Sequence, residues 1–446
     1  MTSLVFSRPH ALHTLAAAAC LVVLTAGSAA AQTVSPRPWG RISFFSNSGR
    51  FGTSAAPTVT TSQVVTSVSY ELTAEEGEGL EYAVDFRHSG DMMTAGRTRV
   101  SLYNAFFGSR LADGRVRVRG GQMWITDLGG LGSVAGGLVE YRPANVAGIP
   151  GRLRIGAFGG TEPETHQLGY VTGVSKFGGY VTLEGARGRR HVVGYVNVRH
   201  SGLVERSVLS FTNFLPAGRA FVYQVAEVDL SGPAGQGHGG LTYFFVNARV
   251  AATDRVDLQG IFHRGRSVDA RAITDDVING RPIPSARADG YLYESAGGRV
   301  TVEVIPRVRV HAGYTRDRNN LGSPPTGRLS LGVNASDLAG TGVDLTVSDA
   351  RFERPTGRFH SLYLSVGRQL GRLVYLSGDY STSLSVVRFT RFDGVVVETR
   401  PETRQFGGSA VVYVGRHVSL LVNATLTRDG DYTDTRLLSG ITYRFR

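Results

Sequence analysis

His417-Val418-Ser419-Leu420-Leu421-Val422-Asn423-Ala424-Thr425-Leu426-Thr427 separates into two faces. Val418, Leu420, Val422, Ala424 and Leu426 fall on one, and Ser419, Asn423, Thr425 and Thr427 on the other, with Leu421 the exception. Successive side chains of a strand point to opposite sides of the sheet, so the run predicts a strand apolar on one side only. Leu80, Tyr82, Val84 and Phe86 oppose Glu81, Ala83, Asp85 and Arg87 in the same way. Val308, Val310, Ala312 and Tyr314 oppose Arg307, Arg309, His311 and Thr315; Arg115, Arg117 and Arg119 alternate with Val116 and Val118, and Arg152 and Arg154 with Leu153 and Ile155.

A soluble sandwich would alternate too. Three features favour a transmembrane barrel. Segments of roughly ten residues recur along the chain, the length that spans a bilayer at a tilt. Tight connections such as Thr253-Asp254-Arg255, Ile305-Pro306-Arg307 and Gly371-Arg372 alternate with longer polar ones. The polar face is charged, and no helices are supplied to cover a second layer; a closed barrel satisfies every backbone group without them. The fold expected is therefore all-β, a transmembrane antiparallel up-and-down β-barrel of about 22 strands, within a range of 18–24. Segments such as 291–304, 307–316 and 434–445 are strands in this reading, with weaker hairpins near 168–176 and 384–399. An even number puts both termini on the periplasmic side. Trp39, Phe44, Phe106, Phe107, Trp124, Tyr141, Tyr413 and Tyr443 lie near predicted strand ends, where a barrel carries aromatic girdles.

The first residues differ from the rest. Arg8, an apolar run from Leu12 to Leu24 and Ala29-Ala30-Ala31 form the three parts of a secretory signal peptide. The expected division is a cleaved signal at 1–31, a short segment at 32–37 and a barrel over 38–446. Cys20, the one cysteine, sits inside the apolar run, which argues against a lipid anchor and leaves the mature chain without disulfides. The formal charge is +12, carried almost wholly by arginine, since Lys176 is the only lysine. Export and the lack of a basic helix or aromatic-basic RNA motif speak against nucleic acid.

The last strand, Leu437-Leu438-Ser439-Gly440-Ile441-Thr442-Tyr443-Arg444-Phe445-Arg446, resembles the C-terminal signal of bacterial outer-membrane barrels, with Ile441, Tyr443 and Phe445 on the lipid side. The family pattern commonly ends on the aromatic residue; here Arg446 follows it. The resemblance implies an outer-membrane location, recognition of this strand by the barrel-assembly machinery, and contact with outer-membrane lipid and lipopolysaccharide. Arg119 to Gly160 is similar to porin-like barrels, where Gly120-Gly121-Gln122 ends a strand and a glycine-rich loop follows. Porins often fold such a loop into the pore, which makes Asp127, Leu128 and Gly132 candidates for a constriction; a plain surface loop is the alternative.

No catalytic constellation stands out. The eleven histidines include no His-x-x-x-His pair with an accompanying Glu for zinc, and Gly129-Gly130-Leu131-Gly132 lacks the Lys-Ser/Thr of a phosphate loop. No catalytic residue, metal or cofactor is expected. The longest predicted loop, 265–290, carries Asp269, Asp275 and Asp276, which could bind a divalent cation or simply be solvated; the loop could also gate a channel or touch lipopolysaccharide. The informative chemistry is the polar face. Arg115, Arg117, Arg119, Arg152, Arg154, Arg307 and Arg309, with Glu81, Asp85 and Arg87, are expected to line the lumen, where fixed charge selects solutes by sign. The expectation is passive diffusion of small polar solutes with a mild anion preference, unless arginine and acid neutralise each other. A structural or scaffold barrel is the main rival, and an outer-membrane hydrolase a weaker one. A gated receptor would need a large plug, for which 32–37 leaves no room.

Overall fold

A computed structural model describes residues 38–53, 56–72, 77–91, 98–144, 151–164, 167–236, 239–354, 357–392, 395–430 and 432–445. The expected signal peptide and the segment 32–37 lie outside them.

One antiparallel sheet contains β1 (Trp39–Thr53), β2 (Ala56–Leu72), β3 (Gly79–Asp91), β4 (Arg99–Leu111), β5 (Val116–Trp124), β6 (Ser133–Tyr141), β7 (Arg152–Thr161) and β8 (Val174–Glu184). It continues through β9 (Arg190–His200), β10 (Leu203–Ala217), β11 (Ala220–Asp229), β12 (Gly240–Ala251), β13 (Val256–Ser267), β14 (Tyr291–Ile305), β15 (Val308–Asn319) and β16 (Thr326–Ala335). The remaining strands are β17 (Val343–Arg354), β18 (Gly357–Leu370), β19 (Val374–Thr390), β20 (Val396–Thr399), β21 (Glu402–Val414), β22 (Val418–Asp429) and β23 (Tyr432–Phe445). Strands that follow one another pair with one another, and β1 pairs with β23, from Gly40 opposite Phe445 to Thr53 opposite Tyr432, so the sheet closes. β20 and β21 both pair with β19 and share one place in the wall. Pro401 separates them because it has no N–H to give a ladder. The result is a 22-strand barrel.

Neighbouring residues alternate in environment all round this wall. Leu80, Phe107, Val118, Val139, Ile155, Val181, Val193, Val310 and Leu331 point outward and are exposed, whereas Glu81 and Glu140 point inward and are buried. The exposed apolar side chains would be unfavourable in water; lipid supplies the apolar solvent they lack. Phe106 corrects the girdle expectation. It is buried inside the barrel, while Phe107 is outside, because adjacent strand residues cannot share a face. At the outer seam, Tyr70, Tyr82, Tyr443 and Phe445 form a chain of ring contacts, with Tyr70 and Phe445 centred 5.6 Å apart.

The interior is uneven. Inside β3 to β10 lies a buried apolar cluster that includes Phe106, Met123, Leu128, Leu138, Phe158 and Val196. On β14 to β16 the inner face instead carries Arg299, Thr301, His311, Ser330 and Asn334, which are not packed in that cluster. The expected alternation of tight and long connections holds only in part. β9 to β10, β17 to β18 and β22 to β23 are also joined by short links, on the end opposite the termini. Long connections on that end are concentrated between β5 and β14, on the side where the interior is packed.

Candidate functional site

Alternation and register bring the charged inner face of β3 to β8 together. Arg110 pairs in register with Arg117, Arg117 with Glu140, Glu140 with Gly156, and Gly156 with Tyr180. Glu81 accepts from Arg110, from Arg117 Nη2 at 3.2 Å and from Arg119 Nε at 2.9 Å. Glu140 accepts from Arg142 Nε at 2.7 Å, Arg154 Nη1 at 3.2 Å and the Tyr180 hydroxyl at 2.8 Å. Arg154 also reaches Glu184 at 2.8 Å and Asp127 at 3.2 Å, and Arg190 closes on Asp127. Six arginines (110, 117, 119, 142, 154 and 190) thus face four carboxylates (81, 127, 140 and 184), an excess of two positive charges. Charges removed from water are tolerable only when paired this fully. Among these arginines, Arg142 and Arg190 keep the most exposure, with 28% and 38% of their side chains accessible.

Two glycines make room for the arrangement. The Tyr180 ring lies where a side chain on Gly156 would begin, which carries its hydroxyl across β7 to Glu140. Gly194 does the same for Leu128, whose side chain rests against the β9 backbone. Leu128 belongs to the short 3₁₀ segment Thr126–Gly132, in which Asp127, Leu128, Leu131 and Gly132 are buried. The segment is pinched at its base by the Ile125 N–H to Gly132 carbonyl bond, 2.9 Å, and packs on β8 and β9. It therefore runs along the inner face instead of projecting beyond the wall.

A second connection also turns inward. Helix α1 (Ala270–Ile278) and helix α2 (Ser285–Asp289) lie between β13 and β14. Asp269 caps α1 by accepting from the Ala272 N–H at 3.0 Å. Arg271 crosses to Glu205, and to Glu162 at 2.6 Å. Ile273 and Thr274 are fully buried. Asp275 meets His200 at 3.3 Å, and Asp276 meets Arg281 and Arg287 at 2.8 and 2.5 Å. Asp276 is thus held by two arginines of the chain, and among the described residues no group of three or more His, Cys, Asp or Glu could hold a metal ion.

The expected lining residues separate into groups. Glu81, Arg117, Arg119 and Arg154 meet in the buried network, and Arg152 lies at its edge in register with Glu184. Asp85 and Arg87 follow Glu81 along the inner face of β3; Arg87 lines a cavity of ≈ 540 Å³ with Gln63, Arg99 and Tyr103. Arg309 pairs with Glu303 at 3.2 Å. Arg115 and Arg307 stand apart: both lie in turns, Arg307 against Asp337, because the alternation runs on past the last wall residue. Sequence reasoning missed Arg110, Glu140, Arg142, Tyr180, Glu184 and Arg190. The parity of Val139 and Tyr141, both outward, was the available signal for Glu140.

A closed wall of 22 antiparallel strand positions, apolar outside and charged inside, is the architecture of a porin-like outer-membrane β-barrel. No described helix is long and apolar enough to cross a membrane. No family model and no curated protein matches the chain. Among solved structures it is similar to OccAB4 of Acinetobacter baumannii, with a TM-score of 0.45 and 8% identity over 92% of this chain and 99% of that one. It is also similar to OpdO of Pseudomonas aeruginosa, with a TM-score of 0.45 and 9% identity over 92% and 98%. OpdQ of the same organism gives 0.43 and 11% over 92% and 98%.

Proposed function

We propose that the chain is an outer-membrane channel for passive diffusion of small hydrophilic solutes, with a mild preference for anions. The observation that carries this reading is the inner face of β3 to β8, where arginines outnumber the carboxylates that pair with them. Rings of fixed charge in a wet pore bias permeation by sign, and extensive pairing keeps that bias small. Asp127, Leu128 and Gly132 narrow the lumen as a constriction, held to the wall by Arg154 and Arg190. Arg117, Arg119, Arg152, Arg154 and Arg309, with Glu81, Asp85 and Arg87, line it.

In the same reading, residues 1–31 are a cleaved export signal, the termini face the periplasm, and Ile441, Tyr443 and Phe445 present the last strand to the assembly machinery. Lipopolysaccharide meets the opposite rim, where Arg316, Arg318 and Arg351 share the outer register with apolar wall residues. Purified protein in planar bilayers under a KCl gradient tests the proposal. Open-channel current with a reversal potential on the chloride side is the expected result. Cation preference overturns the anion reading, and absence of current favours a scaffold barrel.

A further inference from the structure

The inner face of β11 to β14 differs from the arginine side. Register places Tyr223, Phe245, Tyr243, His263 and Tyr293 on it, and their rings touch in series. Tyr223 and Phe245 are centred 6.0 Å apart, Phe245 and His263 6.2 Å, Tyr243 and His263 5.3 Å, and His263 and Tyr293 5.7 Å. Tyr243, Gly265 and Tyr293 are directly opposite one another on three adjacent strands. Two interstrand spacings, ~9.6 Å, therefore separate the tyrosine backbones. The residue between them has no side chain, and the His263 ring fits into the room it leaves, 3.6 Å from where a Cβ would stand.

The ring cluster borders a cavity of ≈ 500 Å³, lined also by Arg206, Glu227, Asp229, Thr242 and Tyr291 and roofed in part by Val268, Ala270 and Ala288 of the connection carrying α1 and α2. Its charges are engaged with each other: Arg206 Nη2 donates to Asp229 at 2.8 Å and to Glu227 at 3.3 Å. The Tyr293 hydroxyl donates to Asp317 at 3.0 Å. Arg266, which also borders the cavity, is in register with Leu292 on the outward face. By contrast, His263 Nε2 is buried and has no hydrogen-bond partner, although buried polar atoms are nearly always satisfied.

We infer that Tyr243, His263 and Tyr293 form a binding subsite for a neutral saccharide on the channel wall. The inference rests on the channel reading and names a solute class for it. Aromatic faces pack against the C–H faces of sugar rings, the paired ions nearby offer acceptors and donors without attracting a net charge, and the His263 nitrogen, closed in between the tyrosine rings, gains a hydroxyl partner when a sugar parts them. A charged solute would find its counterions here already taken.

The test uses full-length protein in planar bilayers with maltotriose as probe. Maltotriose is expected to interrupt the open-channel current reversibly and in proportion to concentration. Tyr243→Ala with Tyr293→Ala should weaken this block roughly tenfold or more, since both aromatic faces that pack on the sugar are lost. Gly265→Leu should abolish it by wedging against the His263 ring and covering the tyrosine faces; a Cβ there meets only His263 ring atoms, at 3.6 and 4.0 Å, so the backbone accommodates it. Uninterrupted current in the wild type, unchanged block in the double variant, or block by tetraethylammonium alone overturns the subsite and leaves the channel intact. If the barrel passes no current, the channel reading fails, and calorimetry with maltotriose on detergent-solubilised protein decides the subsite: no binding overturns it.

Discussion

Tyr180 donates its phenolic hydrogen to Glu140 at 2.8 Å across an intervening strand whose residue at that level is Gly156. A glycine is needed there because the Tyr180 ring lies over it. Gly156→Val should displace the ring, break the bond and destabilise the barrel by about 1–3 kcal/mol, the usual cost of overpacking. Urea unfolding in detergent measures it; an unchanged midpoint would show that Tyr180 is not fixed by this contact.

Glu81 is the more demanding case, because its side chain is fully buried among Arg110, Arg117 and Arg119. Removing one partner of a buried ion pair costs about 3–5 kcal/mol through the charges left behind. Glu81→Ala is expected to lower the unfolding midpoint by that order. Glu81→Gln keeps the shape and adds one positive charge to the lumen, so its reversal potential should move further toward chloride. A shift toward potassium would contradict the assignment of this face to the permeation path.

The segment Thr126–Gly132 is tied to the wall by Asp127 and seated by Leu128 over Gly194. Gly194→Leu should drive Leu128 off the wall, and Asp127→Ala should release Arg154 and Arg190. If the segment narrows the lumen, Asp127→Ala raises current noise and changes single-channel conductance. Conductance identical to wild type in both variants would return the segment to a purely structural role.

Arg271 joins α1 to Glu162 and Glu205. Arg271→Ala should loosen this connection without touching the wall. Amide exchange across 270–278 is expected to accelerate at least several-fold while β9 and β10 stay protected. Equal exchange in both proteins would mean that the buried Ile273 and Thr274 hold the helix by themselves.

Phe445 closes the outer seam, packed on Tyr70 and Tyr443 and lying where a Gly40 side chain would be. Truncating a packed phenylalanine costs about 3–5 kcal/mol. Phe445→Ala should reduce the folded fraction recovered from outer membranes, read as the band that migrates compactly before heating. Undiminished recovery would separate this residue from assembly.

The wall was legible because each strand has lipid on one side and a polar interior on the other, which writes a two-residue period into the chain. Tyr291–Ile305 and Tyr432–Phe445 lie close to the predicted 291–304 and 434–445 for this reason. Alternation fails where a strand rises past the apolar belt: Asp349 and Arg351 share the outer register with Leu362 and His360. The interior was less legible. Arg190 and Asp127 are 63 residues apart and meet only because a loop folds back along the wall, a contact with no local signature. Helix α1 was hidden in what read as a polar loop, since its hydrophobic face is little more than Ala270 and Ile273.

The bond between Ser43 and Thr442, 3.1 Å long, joins residues 399 positions apart. Every other wall pairing links strands adjacent along the chain, apart from the β19–β21 step past short β20. Most of the sheet can therefore grow one hairpin at a time, each closing a short loop at small entropic expense. The meeting of β1 with β23 is the single step that must bring distant parts of the polypeptide together, and such steps are slow. Until it occurs, both outermost strands keep unpaired backbone edges, open to a catalyst that can template them or to a second chain that should not.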